Sequence, residues 1–272
     1  MASLKGLTAV LTGASSGIGP YIARALAAER MNIVLAARTT EKLEALAAEL
    51  RGSGVGAEVA TTDVTDPADR RNLAKRARTA FGQIDVLINN AGYEEIIEFH
   101  KQNPEAIEKT IETNLIAPML LTREILPNMI ERGSGHVIHI ASLAGRLGMP
   151  FGAVYSGSKG GLAEFSLSLH GELEGTGVTS SVICPGFIAE AGMFARKDRK
   201  APPTLKEARP SDVAKAVITA LKTNTPEIMV TARPVRPLMA LRAISPKAMN
   251  ALANKLGLIG FLRSVATRKP EN

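Results

Sequence analysis

A chain of 272 residues, with 45% apolar composition and a net charge of +7, is long enough to bury the core of one α/β domain. The single cysteine, Cys184, excludes an internal disulfide framework, and the four histidines lack the spacing of a metal-ligand set. We therefore expect no bound metal and a reducing, cytoplasmic location. No apolar run reaches the roughly 18 residues that a membrane-spanning helix requires.

The positive charge is concentrated at the C-terminal end. Eight of the 33 Lys and Arg residues lie at or beyond Arg233, where Glu271 is the one acidic residue, and the rest of the chain holds 25 of each sign. A nucleic-acid-binding protein usually spreads basic residues with aromatic residues over a folded face. The distribution therefore argues against a nucleic-acid partner.

Strand-like and helix-like segments alternate along the chain. Short apolar runs predict seven strands, at residues 7–12, 32–37, 58–62, 86–89, 136–141, 179–184 and 227–230. Helical spacing of apolar residues predicts helices at 20–30, 41–50, 67–81, 104–132, 154–171 and 211–221. Because the strands are apolar on both faces and alternate with helices, we predict one doubly wound α/β domain with a seven-stranded parallel sheet.

Two segments interrupt this alternation. Residues 187–210 contain two consecutive prolines and a basic cluster at 196–200, and a long irregular insertion after a strand predicts a substrate lid. Residues 231–272 follow the last strand, so we assign residues 1–230 to the catalytic domain and 231–272 to a basic helical extension.

The extension contains one clear helix pattern. Ser245 is placed to cap a helix that begins with Pro246, and Gly257 is placed to end it. An apolar stripe runs between them, formed by Met249, Leu252, Ala253 and Leu256. We expect this helix to pack over the pocket or at a subunit interface, and the alternative is a basic amphipathic helix that rests on anionic lipid.

A glycine-rich turn follows the first predicted strand and opens the first predicted helix. It runs from Thr12 to Gly19, with further glycines at Gly13 and Gly17. Glycines permit a tight turn and the close approach of a pyrophosphate to the helix N-terminus. The turn therefore predicts a dinucleotide-binding site.

A tyrosine and a lysine share one face of a later predicted helix. Tyr155 and Lys159 are four residues apart, so the phenol and the ammonium lie side by side. A neighbouring cation favours the phenolate, so we expect Lys159 to lower the pKa of Tyr155 from about 10. Together with the nucleotide-binding turn, this pair predicts redox chemistry between an alcohol and a carbonyl.

Several motifs in order make the chain resemble the short-chain dehydrogenase/reductase family. They are the glycine turn, Asp63-Val64, Asn89-Asn90-Ala91-Gly92, Asn114, Ser142, Tyr155 with Lys159, and Pro185-Gly186. The resemblance covers roughly residues 5–230. It implies a single Rossmann-type domain with a nicotinamide cofactor.

The resemblance also implies a role for each catalytic residue. Tyr155 exchanges a proton with the substrate oxygen, and Lys159 lowers the tyrosine pKa and binds the nicotinamide ribose. Ser142 holds the substrate oxygen, and Asn114 binds a water that links Lys159 to solvent. The competing interpretations are a helix cap for Ser142, a helix-kink residue for Asn114 and a solvated surface charge for Lys159.

The cofactor-binding set implied by the resemblance begins at the glycine turn. It consists of Gly13, Ser15, Ser16, Gly17, Ile18, Gly19, Arg38, Asp63, Val64, Asn90, Ala91, Gly92, Tyr155, Lys159, Pro185, Gly186 and Ile188. Arg38 follows the second strand where NAD-specific relatives carry an acidic residue, so NADP(H) is favoured over NAD(H). The alternatives are a simple charge near a helix for Arg38 and a helix cap for Asp63. Glu190 stands where the family commonly has a threonine that contacts the nicotinamide.

The side chains expected around the reacting carbon are almost wholly apolar. They are Tyr93, Leu143, Phe151, Phe187, Met193 and Phe194. We therefore expect a hydrophobic ketone or secondary alcohol, such as a steroid-like, terpenoid or fatty-chain molecule. A 3-oxoacyl thioester of a carrier protein or coenzyme A is the alternative, and an NADP(H)-sensing or scaffold protein is the non-enzymatic one. The resemblance also implies a homodimer or homotetramer built on the helices that carry Asn114 and Tyr155.

Overall fold

The computed structural model describes residues 3–190 and 206–266. Its strands are β1 (Thr8–Thr12), β2 (Asn32–Ala37), β3 (Ala57–Thr61), β4 (Val86–Asn89), β5 (Gly135–Ile140), β6 (Val178–Pro185) and β7 (Glu227–Val230). They form one sheet in the order β3-β2-β1-β4-β5-β6-β7, and every neighbouring pair is parallel. The predicted doubly wound domain with seven parallel strands is confirmed, and each strand end lies within one residue of its predicted position.

Helices surround the sheet and continue beyond its last strand. They are α1 (Gly19–Ala28), α2 (Thr40–Gly52), α3 (Pro67–Phe81), α4 (Pro104–Ile111), α5 (Ala117–Glu131), α6 (Ala144–Leu147), α7 (Ala153–Glu172), α8 (Pro210–Thr223), α9 (Arg236–Ile244), α10 (Pro246–Lys255) and α11 (Leu258–Ala266). The predicted helix at 104–132 is interrupted, because a π-helical segment, Glu112–Ile116, separates α4 from α5. None of the helices in the described ranges is long and apolar enough to cross a bilayer.

Alternate residues of each central strand point to opposite faces of the sheet. Leu11 and Ile88 pack in one apolar cluster with residues of α1, α2 and α8. Their chain neighbours Val10 and Leu87 pack in a second cluster with residues of α3, α5 and α7. Because side-chain direction alternates along a strand, these continuous apolar runs fill both layers of the core.

The strand order reverses between β1 and β4. β1 pairs with β2 on one side and with β4 on the other, so the loops after β1 and β4 diverge to opposite faces. A doubly wound sheet binds its ligand outside the carboxyl ends of the strands at such a point. The glycine turn after β1 and Asn90 after β4 lie there.

Candidate active site

The glycine turn leaves no room for side chains at two of its positions. A Cβ atom on Gly19 would lie 2.2 Å from the Gly13 carbonyl oxygen, and one on Gly13 would lie 2.8 Å from the Ala91 Cα atom. Gly13 and Gly17 also adopt φ angles of +65° and +62°, which favour glycine. Ile18, the N-cap of α1, offers no side-chain acceptor to the first-turn amides. The turn therefore fits a phosphate group at the start of α1.

Asn90 fastens the loop after β4 to the glycine turn. Its side-chain amide donates to the carbonyls of Thr12 at 2.9 Å and Gly13 at 3.1 Å. In return, the Thr12 hydroxyl oxygen accepts the backbone N–H groups of Asn90 at 3.0 Å and Ala91 at 3.1 Å. Thr12 was not among the predicted site residues, although its position at the end of β1 was a usable signal.

Asp63 lies half-buried after β3, next to the buried Val64. Its carboxylate accepts the Thr65 amide at 2.9 Å and the Thr65 hydroxyl at 2.7 Å. Burial raises the pKa of Asp63, but the Thr65 hydrogen bonds and the positive charge of Arg38 together hold it below its usual value. The helix-cap alternative for Asp63 is wrong, because Asp66 caps α3.

Asn114 lies in the π-helical segment and is completely buried. Its carboxamide oxygen accepts the Tyr93 N–H at 2.8 Å, and its amide nitrogen donates to the Tyr93 carbonyl at 2.8 Å and to the Ser158 hydroxyl at 3.0 Å. Ser158 in turn donates to the Tyr155 carbonyl at 2.8 Å. Asn114 therefore joins the loop after β4 to α7. A π-turn is common at functional sites, so the helix-kink interpretation of Asn114 and a functional role are compatible.

Tyr155 and Lys159 lie on the buried face of α7. Their exposed fractions are 6% and 3%, so the interpretation of Lys159 as a solvated surface charge is wrong. The Lys159 ammonium donates to the Ile140 carbonyl at the end of β5, at 2.7 Å. A Cβ atom on Gly92 would lie 3.5 Å from Lys159 Nζ and 3.3 Å from Asn114 Oδ1, so the loop after β4 passes directly beside both groups.

The pKa of Tyr155 departs from the direction expected from sequence. Burial raises it well above its usual value, the negative charge of Glu94 adds to this effect, and a hydrogen bond with Ser142 opposes it. Burial also lowers the pKa of Lys159 to about 8. Both groups are desolvated, so each favours its neutral form, and this outweighs the pairing of charges that the i,i+4 spacing suggested.

Ser142 lies in the turn that connects β5 to α6. Its hydroxyl oxygen accepts the Ala144 N–H at 3.1 Å, as a helix cap does, and its O–H points to the Pro185 carbonyl at 3.5 Å. The Leu143 N–H donates to the same carbonyl at 2.8 Å. These contacts fix the Ser142 turn against the end of β6.

An arginine after Ser142 holds α6 in place. Arg146 forms ion pairs with Glu164 of α7 and Glu227 of β7. The turn that carries Ser142 is thereby connected to the helix that carries Tyr155.

The predicted nicotinamide-binding segment begins at Gly186, whose N–H donates to the Val230 carbonyl at 2.9 Å. Ile188 is buried and forms a parallel bridge with Ala208, through hydrogen bonds made by Phe187 and Ala189. Glu190, at the usual threonine position, is exposed and has a φ angle of +63°.

Of the predicted substrate residues, Tyr93, Leu143, Phe151 and Phe187 are half-buried. Lys109 Nζ lies 4.7 Å from the centre of the Tyr93 ring. The predictions for Met193 and Phe194, like most of the predicted lid at 187–210, lie outside the described residues.

Comparisons with known proteins agree with this geometry. The family model for short chain dehydrogenases matches residues 7–202. The chain is 39% identical over 266 residues to the ketoacyl reductase HetN of Nostoc sp., with 96% of this chain and 93% of that protein covered. It is 30% identical over 259 residues to dehydrogenase/reductase SDR family member 7B of Mus musculus, with 90% and 79% covered.

Solved structures give the same result. An actinorhodin polyketide ketoreductase variant with NADPH superposes with a TM-score of 0.77 at 30% identity, covering 86% of this chain and 98% of that one. A metagenomic short-chain oxidoreductase in complex with NADP gives a TM-score of 0.71 at 34% identity, with 83% and 97% covered. The chain therefore belongs to the short-chain dehydrogenase/reductase family of oxidoreductases.

Proposed function

We propose that the protein interconverts a ketone and a secondary alcohol on a hydrophobic small molecule, with NADP(H) as cofactor. The observation that carries the proposal is the buried phenol of Tyr155, which shares a face of α7 with Lys159 and interacts with Ser142. When bound, the nicotinamide cofactor donates or accepts the hydride. Residues of the chain donate the accompanying proton to the substrate oxygen or accept it from that oxygen.

In the direction of reduction, Tyr155 donates its phenolic proton to the substrate oxygen. The raised pKa keeps the phenol protonated at neutral pH, which suits a proton donor. The Ser142 hydroxyl donates a hydrogen bond to the same oxygen and stabilises the negative charge that develops there. In the direction of oxidation the proton returns from the alcohol to the tyrosine.

Lys159 and Asn114 restore the proton. The Lys159 ammonium stabilises the phenolate that remains after proton donation, and its pKa of about 8 allows it to exchange protons near neutrality. Asn114 Oδ1 accepts one hydrogen bond, from Tyr93, and a carboxamide oxygen has a second lone pair for a water. A water between Asn114 and Lys159 would continue the path to solvent.

Arg38 supports NADP(H) as the cofactor. It is exposed directly after β2, and its charge contributes to the lowered pKa of Asp63. A guanidinium here can bind the 2′-phosphate of the adenosine ribose with two hydrogen bonds. The solved relatives that contain NADPH or NADP are consistent with this choice.

A 3-oxoacyl thioester is the second candidate substrate. It is favoured by the names of two relatives, a ketoacyl reductase and a polyketide ketoreductase. The half-buried aromatic residues near the site suit an apolar ketone, and they would equally accommodate the acyl chain of a thioester.

One experiment tests the reaction and separates the substrates. The purified full chain is assayed by the absorbance of reduced nicotinamide with a lipophilic ketone and with a 3-oxoacyl thioester, using NADPH and NADH in turn. We expect turnover of the ketone with NADPH; a kcat/KM for the thioester at least 100-fold higher would establish the second candidate.

Variants of two tyrosines test the mechanism. Tyr155→Phe removes the proton donor and should lower kcat by about 10² to 10⁴, the usual contribution of a general acid. Tyr21→Phe, a half-buried tyrosine of α1, is the matched control. Full activity of Tyr155→Phe would refute the mechanism, and NADPH binding without turnover of any carbonyl would favour the sensor alternative.

We also propose a homodimer or homotetramer through α5 and α7. Ile116 and Leu120 are one helical turn apart and remain 38% and 40% exposed on the outer surface of this region. Light scattering of the purified chain would give the mass, and a monomer at micromolar concentration would contradict the proposal.

A further inference from the structure

The last helix contacts two aromatic side chains near the predicted pocket. The ring of Phe261 in α11 packs edge-on against the ring of Phe187, with centroids 6.4 Å apart and an interplanar angle of 71°. Arg263, two residues later, places its guanidinium carbon 6.0 Å from the centre of the Phe151 ring. Two other residues of the helix, Leu262 and Val265, are buried at 0% and 7% exposure and hold it against the rest of the protein.

Those two contacts locate α11 relative to the reacting groups. Phe187 follows Pro185 and Gly186 at the carboxyl end of β6. Phe151 lies between Ser142, after β5, and Tyr155 in α7. Because the carboxyl ends of parallel strands lie at the same edge of the sheet, a helix that touches both phenylalanines lies at the edge of the sheet that carries Ser142.

The other end of the extension is fixed to the same region. Arg242 of α9 donates to the carbonyl of Arg146 at the end of α6, the short helix that follows Ser142. In α10, Met249 and Ala253 of the predicted apolar stripe are buried at 8% exposure each. The extension therefore contacts the catalytic domain through α9 and α11, and α10 packs against both of these helices.

One carboxylate lies near the positive charge of α11. The pKa of Glu98 is lowered, mainly by its ion pair with Lys101 and in part by the positive charge of Arg263. Arg263 thus lies close to a carboxylate as well as to Phe151. The contact between Phe261 and Phe187 is the apolar contact that α11 makes beside the predicted pocket.

We propose that α11 forms the outer wall of the substrate pocket, and that Phe261 is a specificity-determining residue that contacts the apolar part of the substrate. The ring of Phe261 is half-buried, so it retains surface for a ligand. Removing that surface from water on binding favours substrates with a long apolar chain. This inference rests on the proposed ketone chemistry and specifies which part of the chain selects the substrate.

The first test compares a short and a long ketone with the full-length Phe261→Ala variant. We expect the KM for a twelve-carbon ketone to rise on the order of tenfold with kcat nearly unchanged, and the KM for a four-carbon ketone to change less than about twofold. Phe81→Ala is the matched control, because Phe81 is half-buried like Phe261 but lies at the end of α3, where it packs in the second apolar cluster. Equal effects on both ketones, or no effect on either, would overturn the inference.

The second test does not depend on turnover. The chain contains no tryptophan, so Phe261→Trp introduces a single fluorophore at the proposed wall. Titration with a twelve-carbon ketone or alcohol in the presence of NADPH should shift its emission to shorter wavelength with a saturable dependence, whereas Phe81→Trp should not respond. If the emission of the Trp at position 261 does not change, the proposal that α11 lines the substrate pocket is refuted. If the emission changes but no ketone is reduced, the proposed reaction is refuted and the proposal for α11 is retained.

Discussion

Acidification should destabilise this protein through two histidines of β5. His136 and His139 are both completely buried. His136 Nε2 lies 2.9 Å from the Ser181 hydroxyl, which itself donates to the Thr225 carbonyl at 2.7 Å. The serine oxygen must therefore accept, so Nε2 carries the proton of a neutral ring, and among the described residues Nδ1 has no partner.

His139 is buried between two hydroxyl groups. Its Nε2 lies 3.3 Å from the Thr122 hydroxyl and its Nδ1 lies 3.3 Å from the Ser166 hydroxyl, while the Phe165 ring packs against it at 5.4 Å. No carboxylate takes part in these contacts, and the charge of Lys159 disfavours a second cation. Burial lowers the pKa of His136 and His139 to about 3.

The size of the effect follows from these values. An unfolded histidine titrates near 6.5, so below that pH the unfolded state binds more protons than the folded state, and stability falls as the pH falls toward 3. At pH 5 each histidine costs about 2 kcal/mol relative to pH 7.5, or about 4 kcal/mol together. That loss is a large fraction of the 5–15 kcal/mol typical of a folded domain.

Urea unfolding at pH 7.5 and pH 5 measures this loss. A glutamine does not titrate, so His136→Gln and His139→Gln should each reduce the difference between the two pH values by about 2 kcal/mol, whatever they do to stability at pH 7.5. His100→Gln, at an exposed position, is the control and should leave the difference unchanged. Equal stability of the wild type at both pH values would refute the reasoning.

The remaining predictions concern the site and the extension. In the proposed mechanism the Lys159 ammonium stabilises the phenolate, and the pKa of Lys159 is about 8, so kcat/KM for reduction should fall as pH rises through 8; a flat profile to pH 10 would contradict this. Arg38→Ala should raise the Kd for NADPH by about tenfold or more and leave NADH binding nearly unchanged, with the exposed Arg71→Ala as control. Gly19→Ala should abolish NADPH binding by calorimetry, because its Cβ atom would clash with the preceding turn at 2.2 Å, whereas Gly171→Ala meets no atom within 4 Å and should retain it. If the extension contacts anionic lipid, the full chain should float with anionic liposomes at low salt more than a form without residues 240–272; equal flotation excludes that contact.

The sheet could be predicted from sequence because its central strands carry apolar residues on both faces. Val10 and Leu11 point to opposite faces, yet both are completely buried, which is the signature of a parallel sheet covered on both sides. The break between α4 and α5 could not be predicted in the same way. The apolar spacing of residues 104–132 continues through the π-turn, and a single wider turn at Asn114 leaves no trace in a helical period.

For the candidate site, sequence patterns indicated which residues to consider but not how each is held. Burial reversed the expected direction of the Tyr155 pKa, since solvation cannot be derived from the spacing of two residues on a helix. Glu94 was missed for a related reason. Its charge acts on both Tyr155 and Lys159 from the loop after β4, and that proximity arises only when the loop folds beside α7.

The way the candidate catalytic side chains are held would allow the proposed chemistry and the choice of substrate to be encoded separately. Asn114 binds both backbone groups of Tyr93, and Lys159 binds a backbone carbonyl at the end of β5. These contacts involve the main chain at the sheet edge, so they do not depend on the side chain of residue 93. The Tyr93 ring and the rings of Phe187 and Phe261 can therefore change without displacing the proton donor. It follows that exchanging Phe261 should alter which ketone is reduced while the pH dependence set by Lys159 stays the same.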